Sequence, residues 1–200
     1  MIWRLFFFVI YILFFLIRFF YKGKQSKREE SVDLKNLKLA LQREGKLNMY
    51  ARSALSLIMF LSIPVYVIYP SWLLIFNLAF PDWLRFIALC SALITLPFLR
   101  WAHCSLGKQY SPHLELIKEH QLITDGLYKI IRHPMYTFLI IFMLSISVLA
   151  ANLVIIVPHL TAIVLLLLRL NKEEAMLLDK FGDVYNEYMK KTGRLLPKFN

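Results

Sequence analysis

The apolar residues of this chain fall into long runs separated by charged stretches, and the length of those runs constrains the fold more than any other feature. The first run, Ile2 to Tyr21, is rich in Phe, Leu and Ile and keeps Arg4 and Arg18 near its ends. Roughly 20 helical residues, rising ~1.5 Å each, cover the ~30 Å hydrocarbon layer of a bilayer. With 58% apolar residues, 18% charged residues and a mean hydropathy of +0.56, the chain is more apolar than soluble domains, which carry roughly 45–50% and about 25%. The fold expected is therefore an all-α integral membrane protein of about five transmembrane helices.

The spans can be placed one by one. The exit of the first, Arg18-Phe19-Phe20-Tyr21, lacks the small residues of a signal-peptidase site, so it reads as a retained span. A second runs from about Tyr50 to Tyr69, with Pro64 inside and Pro70 as a stop. The uncharged stretch from Pro70 to Trp83, with Trp72 and Phe76, reads either as an interfacial turn or as a continuation into the membrane. The third span runs from about Trp83 to Ala102, with Pro97 inside it. The fourth and fifth, Tyr136–Ala150 and Asn152–Leu170, are separated by so short a link that they must form a tight helical hairpin.

Lys and Arg set the orientation. They crowd the segment after the first span (Lys22 to Lys46), the segment after the third (Lys108, Lys118, Lys129, Arg132) and the tail, and are absent between the second and third. The positive-inside rule then puts the N-terminus outside and the C-terminus in the cytoplasm. An odd number of spans agrees. The net charge of +11 is accounted for by topology and anionic headgroups rather than by nucleic acid. Cys90 and Cys104 show no metal-ligand spacing, so no metal is expected. The chain divides into an N-terminal membrane region, 1–102, with a basic cytoplasmic loop at 22–49, and a C-terminal region, 103–200, containing the hairpin 134–170.

Two cytoplasmic segments are richer in chemistry than a scaffold requires. In the first, His113 to Tyr136, Asp125-Gly126 signals a turn, and Tyr128 and Arg132 are spaced to share a face of a short helix. Pro134 suits the first position of the fourth span, with His133 at its cap. Such a helix start offers free N–H groups and a positive dipole end to a carboxylate or phosphate; equally, Arg132 and His133 could simply anchor the span among headgroups. In the second segment, Arg169 and Glu173 stand one turn apart at the end of the fifth span. Because both segments lie at the same end of the hairpin, Arg132, His133, Arg169 and Glu173 should converge at one cytoplasmic mouth. Ionisable groups gathered beside a bilayer point to function.

The string Gly126-Leu127-Tyr128-x-x-x-Arg132-His133-Pro134-Met135-Tyr136, followed by Glu173-Glu174, by Phe181-Gly182-x-x-Tyr185-x-x-Tyr188 and by Thr192-Gly193-Arg194-Leu195-Leu196-Pro197, resembles the isoprenylcysteine carboxyl methyltransferase family over roughly residues 100–200. The resemblance implies S-adenosyl-L-methionine as cofactor and, since the small size resembles the family's five-span prokaryotic members, a prokaryotic cell membrane. It implies cofactor contacts at His120, Gln121, Leu122, Ile123, Tyr128, His133, Pro134, Met135, Tyr136 and Glu173, with Glu115 aligning across a gap. Arg132 belongs to the same segment. Arg169 matches the arginine assigned to the acceptor carboxylate, and Glu174 is a candidate for the acceptor side. Leu127 stands where many members have proline.

The six glycines are dispersed, so no G-x-G-x-x-G loop exists and a Rossmann-type methyltransferase is excluded. The implied reaction is carboxyl O-methylation of a C-terminal isoprenylcysteine, a lipophilic acceptor reached from the lipid bilayer. A carboxylic acid with a pKa near 4 is already ionised at neutral pH, so no general base is needed. The alternatives are a phospholipid amine or small thiol acceptor, which must shed a proton, and a non-enzymatic membrane protein that retains the fold. A transporter is disfavoured, because its site would lie at the midplane.

Overall fold

The computed structural model describes residues 2–26, 46–68, 71–106 and 122–198, and the regular elements among them are all helical. Six α-helices follow in order: α1 (Ile2–Ser26), α2 (Lys46–Ile68), α3 (Asp82–Leu106), α4 (Pro134–Ala150), α5 (Leu153–Phe181) and α6 (Asp183–Lys191). Two 3-10 turns, η1 (Ser71–Phe76) and η2 (Gly126–Lys129), complete the set. The segments Met49–Ile68, Asp82–Leu106 and Leu153–Phe181 are long and apolar enough to cross a membrane, while α4 is apolar but has only 17 residues. The chain is a multi-pass membrane protein.

The core lies where α1, α3 and α4 meet. Ala88 and Ala92 on α3 are buried against α4, whose Phe142, Ile146 and Leu149 fill the space opposite. Small residues let helix backbones approach closely where lipid removes the hydrophobic drive for association. Ser145 donates to Ser91 at 2.9 Å across the same contact. α1 belongs to this core: Phe7 and Ile10 are fully buried, and Phe14 stacks on Phe142 with ring centroids 4.4 Å apart. Deeper in the bundle the Tyr11 hydroxyl donates to His159 Nε2, whose Nδ1–H donates in turn to the Ile155 carbonyl at 2.6 Å. That pairing fixes the imidazole tautomer and joins α1 to α5. The outward faces carry Leu5, Leu57, Ile75, Phe86 and Val164, all exposed, as expected of surfaces solvated by lipid.

At one end of the bundle the α4–α5 turn is clamped by the segment whose placement the sequence left open. η1 is a compact turn that buries Leu73, rather than a further membrane segment. Ala151 takes a left-handed conformation at φ 49°, and Asn152 caps α5 through its own Oδ1 on the Val154 N–H at 3.0 Å. A left-handed L-residue costs roughly 1–2 kcal/mol, and neighbouring groups hold it in place. Asn152 donates to Asn77 Oδ1 at 2.8 Å and to the Leu73 carbonyl at 3.2 Å. Tyr66 donates to the Ala150 carbonyl at 2.8 Å, and Arg85 donates to the Leu149 carbonyl through Nε at 3.0 Å and Nη2 at 2.8 Å. These groups satisfy carbonyls that any helix end leaves open. Trp3 closes the clamp by donating to Asp82 Oδ1 at 2.9 Å, with the Arg85 guanidinium over its ring.

Two local expectations need correction. The short helix expected to carry Tyr128 and Arg132 on one face ends at Lys129; Arg132 lies at a bend beyond it, and its N–H donates to the Gly193 carbonyl at 2.8 Å. The helix of the fifth span does not end with its apolar run at Leu170. It continues to Phe181, carrying Asn171 to Glu174 beyond the apolar part. At ~1.5 Å per residue its 29 residues are about 43 Å long, more than a ~30 Å hydrocarbon layer can hold.

Candidate active site at the open end of the hairpin

Opposite the clamped turn, the start of α4 and the extension of α5 stand side by side. Pro134 occupies the first helical position of α4 and His133 its cap, and the His133 side chain makes no capping hydrogen bond. The first N–H groups of a helix have no intrahelical partners, so those of Met135 and Tyr136 face the mouth with the positive end of the helix dipole. The Tyr136 hydroxyl donates to Glu173 Oε2. His133 is buried between the two carboxylates, with Nδ1 4.0 Å from Glu173 Oε1 and Nε2 3.2 Å from Glu174 Oε1. Arg169, one turn before Glu173, and Arg52, from the start of α2, both lie near enough for their charges to bear on the Tyr136 hydroxyl.

Glu174 is the centre of a separate ionic cluster. Arg132 Nε reaches Glu174 Oε1 at 2.9 Å and Arg194 Nε reaches Glu174 Oε2 at 2.9 Å, so both carboxylate oxygens are engaged by cations. Burial alone would raise the Glu174 pKa, but the hydrogen bonds from His133 and Arg132, with their charges, hold it at about 2. Arg132 Nη1 also donates to the Thr192 carbonyl at 2.5 Å and the Met189 carbonyl at 3.3 Å. Arg194 Nη2 donates to Asn171 Oδ1 at 2.6 Å.

The C-terminal tail acts as a strap over this region. Residues Ile131 and Gly193 form a parallel bridge, the His133 N–H donates to the Arg194 carbonyl at 3.2 Å, and Thr137 Oγ1 donates to the Leu195 carbonyl at 2.7 Å. From α6, Tyr188 donates to the Tyr128 carbonyl at 2.5 Å and so fixes η2. Burial raises the Tyr188 pKa to about 12 and that of Tyr185 further, so both hydroxyls remain protonated.

Of the residues singled out from the sequence, the structure brings together Arg132, His133, Pro134, Met135, Tyr136, Arg169, Glu173 and Glu174. Tyr128 is buried beneath them in η2, and Leu122 and Ile123 are half-buried in the chain leading into that turn. Glu115, His120 and Gln121 lie outside the described residues. The tail residue Arg194 and the α2 residue Arg52 were not anticipated. Both approach the site from distant parts of the chain, and no local spacing announces them.

The isoprenylcysteine carboxyl methyltransferase (ICMT) family model matches residues 86–179, which run from α3 through the hairpin to the two glutamates. The chain resembles this family over that stretch, just under half of its length. Among curated relatives, the chain is 37% identical over 86 residues to the protein-S-isoprenylcysteine O-methyltransferase of Schizosaccharomyces pombe, covering 40% of this chain and 34% of that protein. It is 33% identical over 122 residues to the methanethiol S-methyltransferase of Pseudomonas deceptionensis, covering 54% of this chain and 45% of that protein. The chain thus spans less than half the length of these relatives. A solved structure of the eukaryotic intramembrane Ras methyltransferase ICMT has the same fold, with a TM-score of 0.51 and 24% identity over 76% of this chain and 53% of that one.

Proposed function

We propose that this ICMT-family protein is an S-adenosylmethionine-dependent methyltransferase, with five spans, its N-terminus outside and its catalytic half, residues 103–200, at the inner face of a prokaryotic cell membrane. The observation that carries this reading is the meeting of the α4 start with Glu173, joined by the Tyr136 hydrogen bond. The donor set suits the amino-acid and nucleoside parts of the cofactor. The N–H groups of Met135 and Tyr136 are a seat for a carboxylate, and Glu173 is an acceptor for ammonium or ribose hydroxyl donors. His120, Gln121, Leu122, Ile123 and Tyr128, with Glu115, supply the remaining wall in this reading. When bound, the cofactor supplies a methyl group activated by a sulfonium.

The chain's own residues then have few tasks. Arg169 steers an acceptor carboxylate by a charge-assisted contact. The hairpin, clamped at its far end, holds Arg169 and Glu173 on one rigid helix, which fixes the acceptor relative to the cofactor. An ionised carboxylate attacks without a base, in keeping with the prenylcysteine acceptor. Both Glu174 oxygens are already engaged, so Glu174 is better assigned to holding Arg132 and His133 in place than to touching the acceptor. Acceptors with an isoprenoid tail reach the mouth from the lipid, where each buried CH₂ contributes ~0.8 kcal/mol.

A small-thiol acceptor is the second reading, favoured by the longer match to the methanethiol S-methyltransferases, over 54% of the chain against 40%. A thiol must lose its proton, and Glu173 is the carboxylate at the mouth to receive it. Purified protein incubated with methyl-labelled cofactor and separate acceptors decides between them. A base-labile methyl ester on a prenylcysteine supports the first reading. A volatile thioether supports the second, and label in phospholipid or nowhere removes both.

A further inference from the structure

Resting on the reading above, the structure also points to a ligand contact on α6, an element that the family model does not reach. Tyr185 is 1% exposed, and its hydroxyl is a buried side-chain group with no hydrogen-bond partner among the described residues. Its neighbour Tyr188, one turn on with ring centroids 5.9 Å away, is satisfied by the Tyr128 carbonyl. The two phenols are thus alike in burial and unlike in satisfaction. Leaving a buried hydroxyl unpaired costs roughly 1–3 kcal/mol, and buried polar groups are paired in the great majority of cases. An orphan at a functional site is therefore a group that waits for something.

What surrounds the hydroxyl identifies the class of partner. Glu174, Arg132 and Glu173 are the charged groups whose fields reach it. It thus lies under the junction of the ionic cluster and the mouth, where Arg132 is bound to the Met189 and Thr192 carbonyls of the same helix and strap. A phenol both donates and accepts, which suits a ligand bearing ammonium, carboxylate and hydroxyl groups together. We propose that Tyr185 is a cofactor-binding residue, its hydroxyl hydrogen-bonding a polar atom of bound S-adenosylmethionine between Glu173 and the Glu174–Arg132 pair. α6 and the strap then belong to the binding site itself, in addition to bracing it.

The test separates a ligand contact from a structural one by the sign of two readouts. Calorimetry with the demethylated product, S-adenosylhomocysteine, measures binding to the wild-type protein, to Tyr185→Phe and to Tyr188→Phe; thermal unfolding of each is followed without ligand. Tyr185→Phe is expected to weaken binding about fivefold to tenfold, the worth of one hydrogen bond, while its ligand-free midpoint is unchanged or raised. Tyr188→Phe is expected to lower the ligand-free midpoint, because it strands the Tyr128 carbonyl. Wild-type affinity in Tyr185→Phe overturns the proposal, as does weakened binding with a lowered ligand-free midpoint, which would make the hydroxyl structural. Absence of binding to the wild-type protein overturns the methyltransferase reading itself, and this proposal with it.

Discussion

Tyr136 and Glu173, separated by 37 positions in sequence, share a hydrogen bond at the open end of the α4–α5 hairpin. The bond joins the first turn of one helix to the charged extension of the next. It aims the carboxylate at the helix N-terminus, with the His133 ring 4.0 Å away. Removal of this carboxylate in Glu173→Ala is expected to weaken S-adenosylhomocysteine binding tenfold to a hundredfold, the value of hydrogen bonds to a charged group. The variant should still insert and purify. Calorimetry checks it, and wild-type affinity would withdraw the assignment.

Arg169 precedes Glu173 by one turn and bears on the same hydroxyl. Its proposed task concerns the acceptor, so Arg169→Ala should retain cofactor affinity and lose turnover with a prenylcysteine by roughly a hundredfold, as loss of one electrostatic contact does. Unchanged turnover would reduce Arg169 to a boundary anchor. Parallel loss of cofactor affinity would move it to the other half of the site.

The Glu174 carboxylate, with its pKa held at about 2, makes stability depend on acidity in a defined window. Its folded-state pKa lies below the unfolded value of ~4.3. The stabilisation is therefore complete above that value and is lost as pH falls towards 2. Glu174→Gln should remove this acid-dependent loss from the unfolding profile. At neutral pH it should destabilise by about 3 kcal/mol, since Arg132 and Arg194 each lose a partner in a half-buried cluster. A profile that keeps its slope in the variant would assign the acid sensitivity elsewhere.

Gly193 is where the strap crosses closest to its own return. A Cβ built there would lie 1.7 Å from the Leu196 carbonyl oxygen, a backbone atom that cannot simply turn aside. Gly193→Ala should unseat the strap from Ile131, at a cost of about 2 kcal/mol in the range of overpacked sites. Cofactor affinity should fall with it, because the strap holds the His133 backbone. A folded variant with wild-type affinity would show that the strap is dispensable for binding.

At the far end, Asn152 caps α5 and donates to both η1 and Asn77. Asn152→Ala should lower stability by about 2 kcal/mol, a lost cap together with lost buried hydrogen bonds. Thermal unfolding measures this directly. No loss would mean that Tyr66 and Arg85 alone hold the turn.

The sequence by itself determined the helices and the convergence of the site. Runs of about twenty apolar residues have one stable solution in a bilayer, because a helix satisfies its own backbone. A two-residue break at Ala151-Asn152 leaves a hairpin as the way back, and Pro134 marks a helix start through its missing N–H. The meeting of Arg132, His133, Arg169 and Glu173 followed from the hairpin, whose entry and exit lie at one end. Tertiary structure decided whatever depends on contacts between distant segments. The packing of η1 against the hairpin turn, the bend at Arg132, the pairing of the tail with Ile131, and Arg194 on Glu174 have no signal in local periodicity. Their energies come from carbonyls and charges that find partners only once the helices are placed. Glu173 and Glu174 show the difference most clearly: adjacent in sequence and alike in chemistry, they receive different partners because successive helical residues point about 100° apart.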